Sequence, residues 1–269
     1  NPVGSYKKEF ELPANWKGKN VFIHLGAVNS FFYLWINNNY VGFSKDSKTP
    51  AEFNITDYLL PGKNSVSLQV FRFSDGTYLE GQDMWKLSGI ERGISLIARP
   101  KIAISDFFVK AGLDSNYQNG TFDLNIQISQ APANTKQSLL VKVIDDATGK
   151  IVFSQKEKLN KNRFHFQSSI DKVRKWNAET PNLYTLVIIH TDEKGKTIEA
   201  VAHKIGFRTA EVKHGLFLIN GKAIKIKGVN RHEHSMYTAK VITPAQMVED
   251  IKLMKQFNIN AVRTSHYPN

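Results

Sequence analysis

The chain has 269 residues, no cysteine and a formal net charge of +12. A chain of this length suggests two domains, or three small ones, each able to bury its own core. The lack of cysteine excludes disulfides, a thiol nucleophile and cysteine-ligated zinc, and no apolar run approaches the ~20 residues that span a bilayer. We therefore expect a soluble protein with no membrane partner.

The charge pattern bears on nucleic acid as a partner, and the N-terminus bears on the compartment. The basic residues are dispersed among acidic ones without an RNA- or DNA-binding motif, so nucleic acid is not expected as a partner. The positive surplus instead predicts a well-solvated surface. The sequence begins Asn1-Pro2-Val3, without an initiating methionine or an apolar leader, which indicates a removed leader or missing upstream residues. The compartment, cytoplasmic or periplasmic, stays open.

Residues 1–100 are predicted to form a jelly roll, an antiparallel sandwich that needs no helix. Short apolar runs recur roughly every 8 to 12 residues, and Asn37-Asn38-Asn39 and Pro61-Gly62 are typical of the turns between them. The predicted strands are residues 6–12, 20–25, 31–36, 40–44, 51–55 and 65–73. Residues 73–85 follow as an acidic, aromatic loop with two glycines, which suits the presentation of binding groups.

Residues 101–209 are predicted to form an immunoglobulin-like β-sandwich. Short alternating strands over roughly 110 residues are typical of that fold. The predicted strands are residues 102–104, 107–109, 122–128, 139–144, 151–153, 164–166 and 184–189. Trp176 and Tyr184 are interpreted as core or corner residues, and His165, His190 and His203 as surface or strand histidines. This block offers no catalytic cluster.

Residues 210–269 predict a strand, a helix and a second strand, at residues 223–229, 243–257 and 259–262. Thr243 fits the N-cap, Pro244 the first helical position, and Gln246 completes a capping box. Met247, Ile251 and Met254 form an apolar stripe that we expect to face a core. A right-handed βαβ unit makes its strands parallel, with both carboxyl ends on one edge. In a (β/α)₈ barrel that edge is the active-site face.

Two histidine-bearing segments follow these strands, Asn-Arg-His-Glu-His at residues 230–234 and Arg-Thr-Ser-His-Tyr at residues 263–267. The topology predicts that they converge on one rim. Imidazoles and an arginine there suit hydrogen bonding to a hydroxyl-rich ligand. Two alternatives stay open: the histidines are structural, or His232, His234 and His266 form a three-histidine zinc site.

Four segments carry a family resemblance: residues 41–53, 74–90, 228–234 and 260–269, which include Gln-Asp-Met-Trp, Asn-Arg-His-Glu-His and Ser-His-Tyr-Pro-Asn. They closely resemble the large bacterial β-galactosidases of glycoside hydrolase family 2. The resemblance implies a jelly-roll sugar-binding domain at residues 1–100, an immunoglobulin-like sandwich at 101–209 and the start of a TIM barrel at 210–269. The fold class is therefore expected to be mainly β, ending in the first βαβ of the barrel.

The resemblance also implies site residues. Asp83 matches the loop aspartate that reaches the barrel mouth, near the galactose 6-hydroxyl and an alkali cation, sodium or potassium. His232 and His266 match histidines that contact galactosyl hydroxyls, and Arg263 matches an arginine that supports the nucleophilic carboxylate. Gly81 stands where well-known members carry a second aspartate, which leaves Asp83 intact but weakens inferences about the local charge.

The resemblance places the chemistry elsewhere. Retaining glycosidases use two carboxylates about 5 to 5.5 Å apart, and in this family both are glutamates beyond Asn269, as are the magnesium ligands. Glu233 cannot fill both roles, and its position is not catalytic in the family. We expect the chain to be part of a longer enzyme that cleaves β-galactosides such as lactose, to be inactive alone, and to join a homo-oligomer as many relatives do.

Two rival interpretations remain open. A sister activity, β-glucuronidase or β-mannosidase, shares the domain order, although we would not expect it to combine Gln-Asp-Met-Trp with Ser-His-Tyr-Pro-Asn. Alternatively, the chain is a non-catalytic carbohydrate-binding or scaffold module built on two sandwiches.

Overall fold

A computed structural model describes residues 1–130 and 135–267 and is mainly β. The chain divides into two compact units, one of Asn1–Arg99 with Ile226–Asn269 and the other of Pro100–Lys225. No helix in the described ranges is both long and apolar enough to cross a bilayer. The domain limits expected at residues 100 and 209 stay predictions.

Residues 1–99 form an antiparallel sandwich. The strands are β1 (Val3–Glu11), β2 (Asn20–Leu25), β3 (Val28–Asn29), β4 (Phe31–Ile36), β5 (Asn39–Lys45), β6 (Ala51–Asn54), β7 (Lys63–Phe71), β8 (Gly89–Ile90) and β9 (Ile94–Arg99). One sheet has the order β1-β7-β4-β5, the other β6-β2-β9, and β3 pairs with β8. Strict alternation on β2 and β4 buries every second side chain, so the core lies between the two sheets.

The structure corrects the prediction for this region in two respects. The loop after β7 contains a short helix, α1 (Gly76–Leu79), where no helix was expected. Its start is fixed by the Asp75 carboxylate, which accepts a hydrogen bond from the backbone N–H of Gly76 at 2.9 Å. Strands β3, β8 and β9 were also missed. The first two are only two residues long, which is too short to show a period.

The second unit is a further antiparallel sandwich. Its strands are β10 (Ala103–Leu113), β11 (Gly120–Ser129), β12 (Ser138–Asp145), β13 (Ile151–Lys158), β14 (Arg163–Ile170), β15 (Tyr184–Thr191), β16 (Thr197–Ile205), β17 (Ala210–Lys213), β18 (Leu216–Ile219) and β19 (Lys222–Ala223). The sheets have the orders β10-β11-β14 and β13-β12-β15-β16, and β17-β18-β19 form a small third sheet. A register shift between Ile104 and Asp106 joins two predicted strands into β10.

The aromatic and histidine assignments in this unit agree with the structure. Tyr184 is 2% exposed in the core, and its hydroxyl accepts a hydrogen bond from the backbone N–H of Arg174 at 2.7 Å. Trp176 is half-buried. His165, His190 and His203 all lie on strands. His190 is fully buried and contacts Gln137 Oε1 at 2.8 Å.

The remaining part of the first unit is a βαβ element. It consists of β20 (Gly228–His232), α2 (Pro244–Gln256) and β21 (Ala261–Ser265). The helix and its capping box are confirmed, and β20 and β21 are parallel as expected. Both strands begin later than predicted. Residues 224–227, Ile-Lys-Ile-Lys, remain outside the ladder, and Asn260 bonds the backbone of Lys227.

The expectation that the α2 stripe is core was wrong. Met247 and Met254 are half-buried, and Ile251 is 52% exposed. Val262 on β21 is 45% exposed. Two strands and one helix present too little surface to cover both faces of such an element.

Candidate functional site

The parallel pairing of β20 and β21 brings two predicted site residues together. His232, the last residue of β20, is opposite Ser265, the last residue of β21, and His266 follows directly. The ring centroids of His232 and His266 are 5.6 Å apart, and those of His232 and His234 are 6.4 Å apart. The predicted convergence of the two histidine segments is therefore present.

Ion pairs and a buried hydroxyl hold these strand ends. Arg231 donates from Nε to Asp250 Oδ2 on α2 at 2.8 Å, and its Nη2 lies 2.7 Å from the same oxygen. The buried Glu233 carboxylate lies 3.7 Å from Arg231 Nη1. Arg263 is exposed and donates to Ser265 Oγ at 3.3 Å, while Ser265 itself is buried. These contacts join β20 to the helix and fix the end of β21.

The acidic, aromatic loop lies against this histidine edge. Met84 Sδ is 3.2 Å from His232 Nδ1, and the Trp85 and His234 rings are 5.7 Å apart. The Tyr267 hydroxyl donates to the backbone carbonyl of Glu80 at 3.0 Å and also contacts the Gln82 side chain. A loop of the jelly roll and the two barrel-type strands therefore form one site.

Asp83 occupies the tip of this loop. The backbone N–H of Met84 donates to the carbonyl of Gln82 at 2.7 Å, which closes a three-residue turn with Asp83 at its centre. The Asp83 side chain is exposed. Since Met84 contacts His232 and Gln82 contacts Tyr267, Asp83 lies between two anchored neighbours.

His266 carries a buried polar atom with an unmet hydrogen bond. Within the described residues, no group pairs with its Nε2, although that atom is inaccessible to solvent. Leaving such an atom unpaired costs about 1 to 3 kcal/mol, and buried polar atoms of this kind are otherwise rare. A ligand hydroxyl that displaced the surrounding side chains would supply the missing hydrogen bond.

Burial affects the neighbouring tyrosine. The pKa of Tyr267 is raised above its ordinary value of 10.0, first because the ring is buried and then because the charges of Glu80 and Glu91 oppose the phenolate. The neutral hydroxyl that donates to Glu80 is thereby favoured.

A small cavity is lined in part by the loop. Its volume is about 40 Å³, and its lining includes Ser47, Thr77, Glu80, Met84 and Tyr267. A cavity of this size holds water-sized groups but not a sugar ring, since ligand pockets are typically about 300 to 1,000 Å³. The cavity therefore belongs to the support of the loop.

The site does not fit the zinc ion considered from the sequence. No group of three or more histidine, aspartate or glutamate side chains in the described ranges is placed to hold a metal ion, so the three-histidine zinc hypothesis was wrong. For an alkali cation, Asp83 supplies one exposed carboxylate, and magnesium ligands are expected beyond Asn269. No step of the chemistry is assigned to a metal here.

Sequence reasoning missed the contacts that assemble the site. Tyr267 was recognised only as part of a motif, and its link to Glu80 spans 187 positions. A buried cluster of Lys48, Glu91 and Lys240 was not identified at all. Its members have no common spacing or motif, so no signal in one sequence would have found it.

Three family models match the chain. The model described as "Glycosyl hydrolases family 2, sugar binding domain" matches residues 1–100, "Glycosyl hydrolases family 2" matches residues 102–208, and "Glycosyl hydrolases family 2, TIM barrel domain" matches residues 210–269.

Curated relatives match over the whole chain. A β-galactosidase of Priestia megaterium is 44% identical over 100% of this chain and 27% of its own length. A β-galactosidase of Halalkalibacterium halodurans is 42% identical over 100% of this chain and 26% of its own length. The chain thus spans about a quarter of the length of these relatives.

Solved structures share the fold. A Bacteroides uniformis β-glucuronidase superposes with a TM-score of 0.89 at 23% identity, over 99% of this chain and 34% of that chain. A Bacteroides vulgatus β-glycosidase superposes with a TM-score of 0.83 at 28% identity, over 99% and 34% of the respective chains.

Proposed function

The chain belongs to glycosyl hydrolases family 2, and from this premise we propose that it supplies the substrate-binding part of a β-galactosidase. The proposed ligands of the galactosyl group are Asp83, His232 and His266. Identity of 44% to a β-galactosidase over the whole chain supports this activity. The likeness to the β-glucuronidase, at 23% identity, supports the fold alone.

The unpaired Nε2 of His266 is the observation that carries the proposal. An imidazole nitrogen can donate to or accept from a sugar hydroxyl, depending on its tautomer. The His232 ring at 5.6 Å offers a second such group, which is a suitable separation for neighbouring hydroxyls of one pyranose. Asp83 adds a carboxylate, whose hydrogen bonds with hydroxyls are shorter and stronger than neutral ones.

The proposal assigns recognition to this chain and bond cleavage to other residues. Retaining hydrolysis needs two carboxylates about 5 to 5.5 Å apart, and Glu233 is buried beside Arg231. We propose that both catalytic glutamates lie outside the chain and that Arg263 supports the nucleophile. Sodium or potassium at Asp83, magnesium elsewhere, and a homo-oligomer stay predictions of the family resemblance.

Hydrolysis assays on the protein that contains this chain at its natural length test the proposal. We expect turnover of nitrophenyl β-galactoside to exceed that of the glucuronide and the mannoside. Asp83→Asn and His266→Gln should each lower kcat/KM for the galactoside by about 10- to 100-fold, the value of a hydrogen bond to a charged or otherwise unpaired group.

His203→Gln is the matched control, because His203 is an exposed strand histidine of the second unit. It should leave kcat/KM unchanged. Unchanged galactoside turnover in an Asp83→Asn, His266→Gln double variant would refute the site, and preferred turnover of the glucuronide would refute the substrate.

A further inference from the structure

The Glu91 carboxylate of the first unit is bound by two lysines. Glu91 Oε2 accepts a hydrogen bond from Lys48 Nζ at 2.6 Å, and its Oε1 accepts from Lys240 Nζ at 2.7 Å and from Asn29 Nδ2 at 3.3 Å. The side chains of Glu91, Lys48 and Lys240 are only 7%, 10% and 6% exposed. Both carboxylate oxygens of Glu91 are therefore bound by buried ammonium groups.

Both lysines depend on the single negative charge of Glu91. Two buried ammonium groups share one carboxylate, so replacing Glu91 by a neutral residue leaves both without their counter-ion. Breaking a buried ion pair from one side is costly because the remaining charge is desolvated and unpaired. The lysines are consequently held only while the carboxylate is present.

One lysine belongs to the segment that carries the histidine edge. Lys240 lies in residues 233–242, between β20, which ends at His232, and the helix α2. A short bond from the backbone N–H of Ser235 to the carbonyl of Ala239, at 2.6 Å, closes this segment just before Lys240. Glu91 thus ties residues 233–242, which follow His232 and contain His234, to the jelly roll.

The other lysine, Lys48, connects Glu91 to the segment of His266 and to the loop of Asp83. Lys48 Nζ lies 5.9 Å from the centre of the Tyr267 ring, next to His266. The preceding residue, Ser47, donates from its backbone N–H and its hydroxyl to the Glu80 carboxylate, at 3.1 and 2.5 Å. Glu80 belongs to the loop of residues 73–85, which also carries Asp83.

We propose that Glu91 is a positioning residue that sets the mutual placement of the segments carrying Asp83, His232 and His266. It contacts none of the three, and it acts through Lys240 on one side and Lys48 on the other. The inference rests on the proposed function only for the identity of the ligand that these segments bind. The contacts of Glu91 with Lys48 and Lys240 do not depend on it.

Hydrogen–deuterium exchange on the 269-residue chain tests the tie without any sugar. Glu91→Gln keeps the shape of the side chain and removes its charge. We expect exchange in peptides covering residues 233–242 and 80–86 to accelerate by about 150- to 5,000-fold, the factor that corresponds to a broken buried pair. Peptides of the second unit, such as residues 184–191, should not change.

Two further variants make the result specific. Lys240→Met should accelerate exchange of residues 233–242 even if Glu91→Gln folds poorly, because it removes the contact that ties this segment to Glu91. It should leave residues 80–86 unchanged, because the Lys48–Glu91 pair remains. Lys204→Met is the control, since Lys204 pairs with Asp146 at 2.7 Å but is 59% exposed, and exposed pairs contribute little. Unchanged exchange of residues 233–242 in both Glu91→Gln and Lys240→Met would overturn the proposal.

Galactose affinity separates positioning from simple stability. Measured by NMR titration well below the unfolding temperature, the dissociation constant for galactose should rise about 10-fold in Glu91→Gln, because misplaced ligands bind less well. The effect should be smaller when Lys240→Met is already present, because only the Lys48 contact is then left to lose. Equal affinity of wild type and Glu91→Gln would overturn the positioning role. If the wild-type chain binds no galactose, the proposed function fails, and the exchange data alone decide whether the tie exists.

Discussion

The Tyr267 hydroxyl offers a sharp test of how the site is assembled. It bonds both the Glu80 carbonyl, at 3.0 Å, and the Gln82 side chain. Tyr267→Phe removes this oxygen and leaves the ring in place. The change therefore detaches the Asp83 loop from the segment of His266 without opening a cavity at the ring.

The magnitude follows from the two contacts. A typical hydrogen bond contributes about 0.5 to 1.5 kcal/mol net. Gln82 is exposed and can bond water instead, so its share is at the low end, while the partly buried Glu80 carbonyl lies nearer the upper end. We expect a loss of about 1 to 2 kcal/mol, which corresponds to roughly 5- to 30-fold more frequent opening of the loop.

Hydrogen exchange of residues 80–86 measures this opening. Tyr237→Phe is the matched control, because Tyr237 is 85% exposed and belongs to the same unit. Exchange of residues 80–86 in Tyr237→Phe should equal that in the wild type. Equal exchange in Tyr267→Phe and Tyr237→Phe would refute the idea that the Tyr267 hydroxyl holds the loop.

The same tyrosine predicts a pH dependence. Its folded-state pKa is raised above 10.0, so the neutral phenol stabilises the first unit at all pH values below its unfolded pKa. This contribution is lost as the pH rises through the folded pKa. Stability should therefore decline less steeply above pH ~10 in Tyr267→Phe than in the wild type, as measured by denaturant unfolding.

Three further substitutions test separate parts of the structure. Thr243→Ala removes the side-chain cap of α2 and half of its capping box with Gln246, so helix stability measured by circular dichroism should fall by about 1 kcal/mol; an unchanged melting curve would contradict the cap. Ile251→Lys should change the free energy of unfolding by less than about 0.5 kcal/mol in denaturant titrations, because Ile251 is half exposed; a large destabilisation would show that Ile251 is packed. Arg174→Met removes the hydrogen-bonded partner that lowers the pKa of Asp145 below 3.8, so it should destabilise the second unit at neutral pH. The difference in unfolding free energy from the wild type should disappear as the pH falls through that lowered pKa. A difference that does not change with pH would refute this.

Local periodicity predicted some elements to the residue. Strands at 20–25 and 31–36 agree with β2 and β4 because each alternates strictly between core and exterior. The start of α2 was equally well defined, since Thr243, Pro244 and Gln246 specify an N-cap by their chemistry. These elements carry their own structural signal.

Other elements depend on partners that one sequence does not identify. Strand β16 is largely exposed, and it forms because it pairs with β15 along its length. The α2 stripe has a helical period, yet Ile251 is exposed because burial requires a surface to pack against. Periodicity thus predicts which face is apolar but not whether that face is covered.

The site shows the same division. The meeting of His232 and His266 could be predicted, because parallel strands separated by one helix place their carboxyl ends together. The support around them could not. Glu91 and Lys240 are brought together only by the packing of the jelly roll against the βαβ element within one unit, and their pairing has no local sequence pattern.

An NMR titration of the chain, observing the imidazole resonances of His232 and His266, tests the central claim most directly. Addition of D-galactose should shift both sets of resonances with one dissociation constant, and Asp83→Asn should weaken that constant by about 10-fold. D-glucuronate at the same concentrations should produce smaller shifts. Galactose that leaves both histidines unshifted, or glucuronate that shifts them more strongly, would contradict the assignment of this site to β-galactoside recognition.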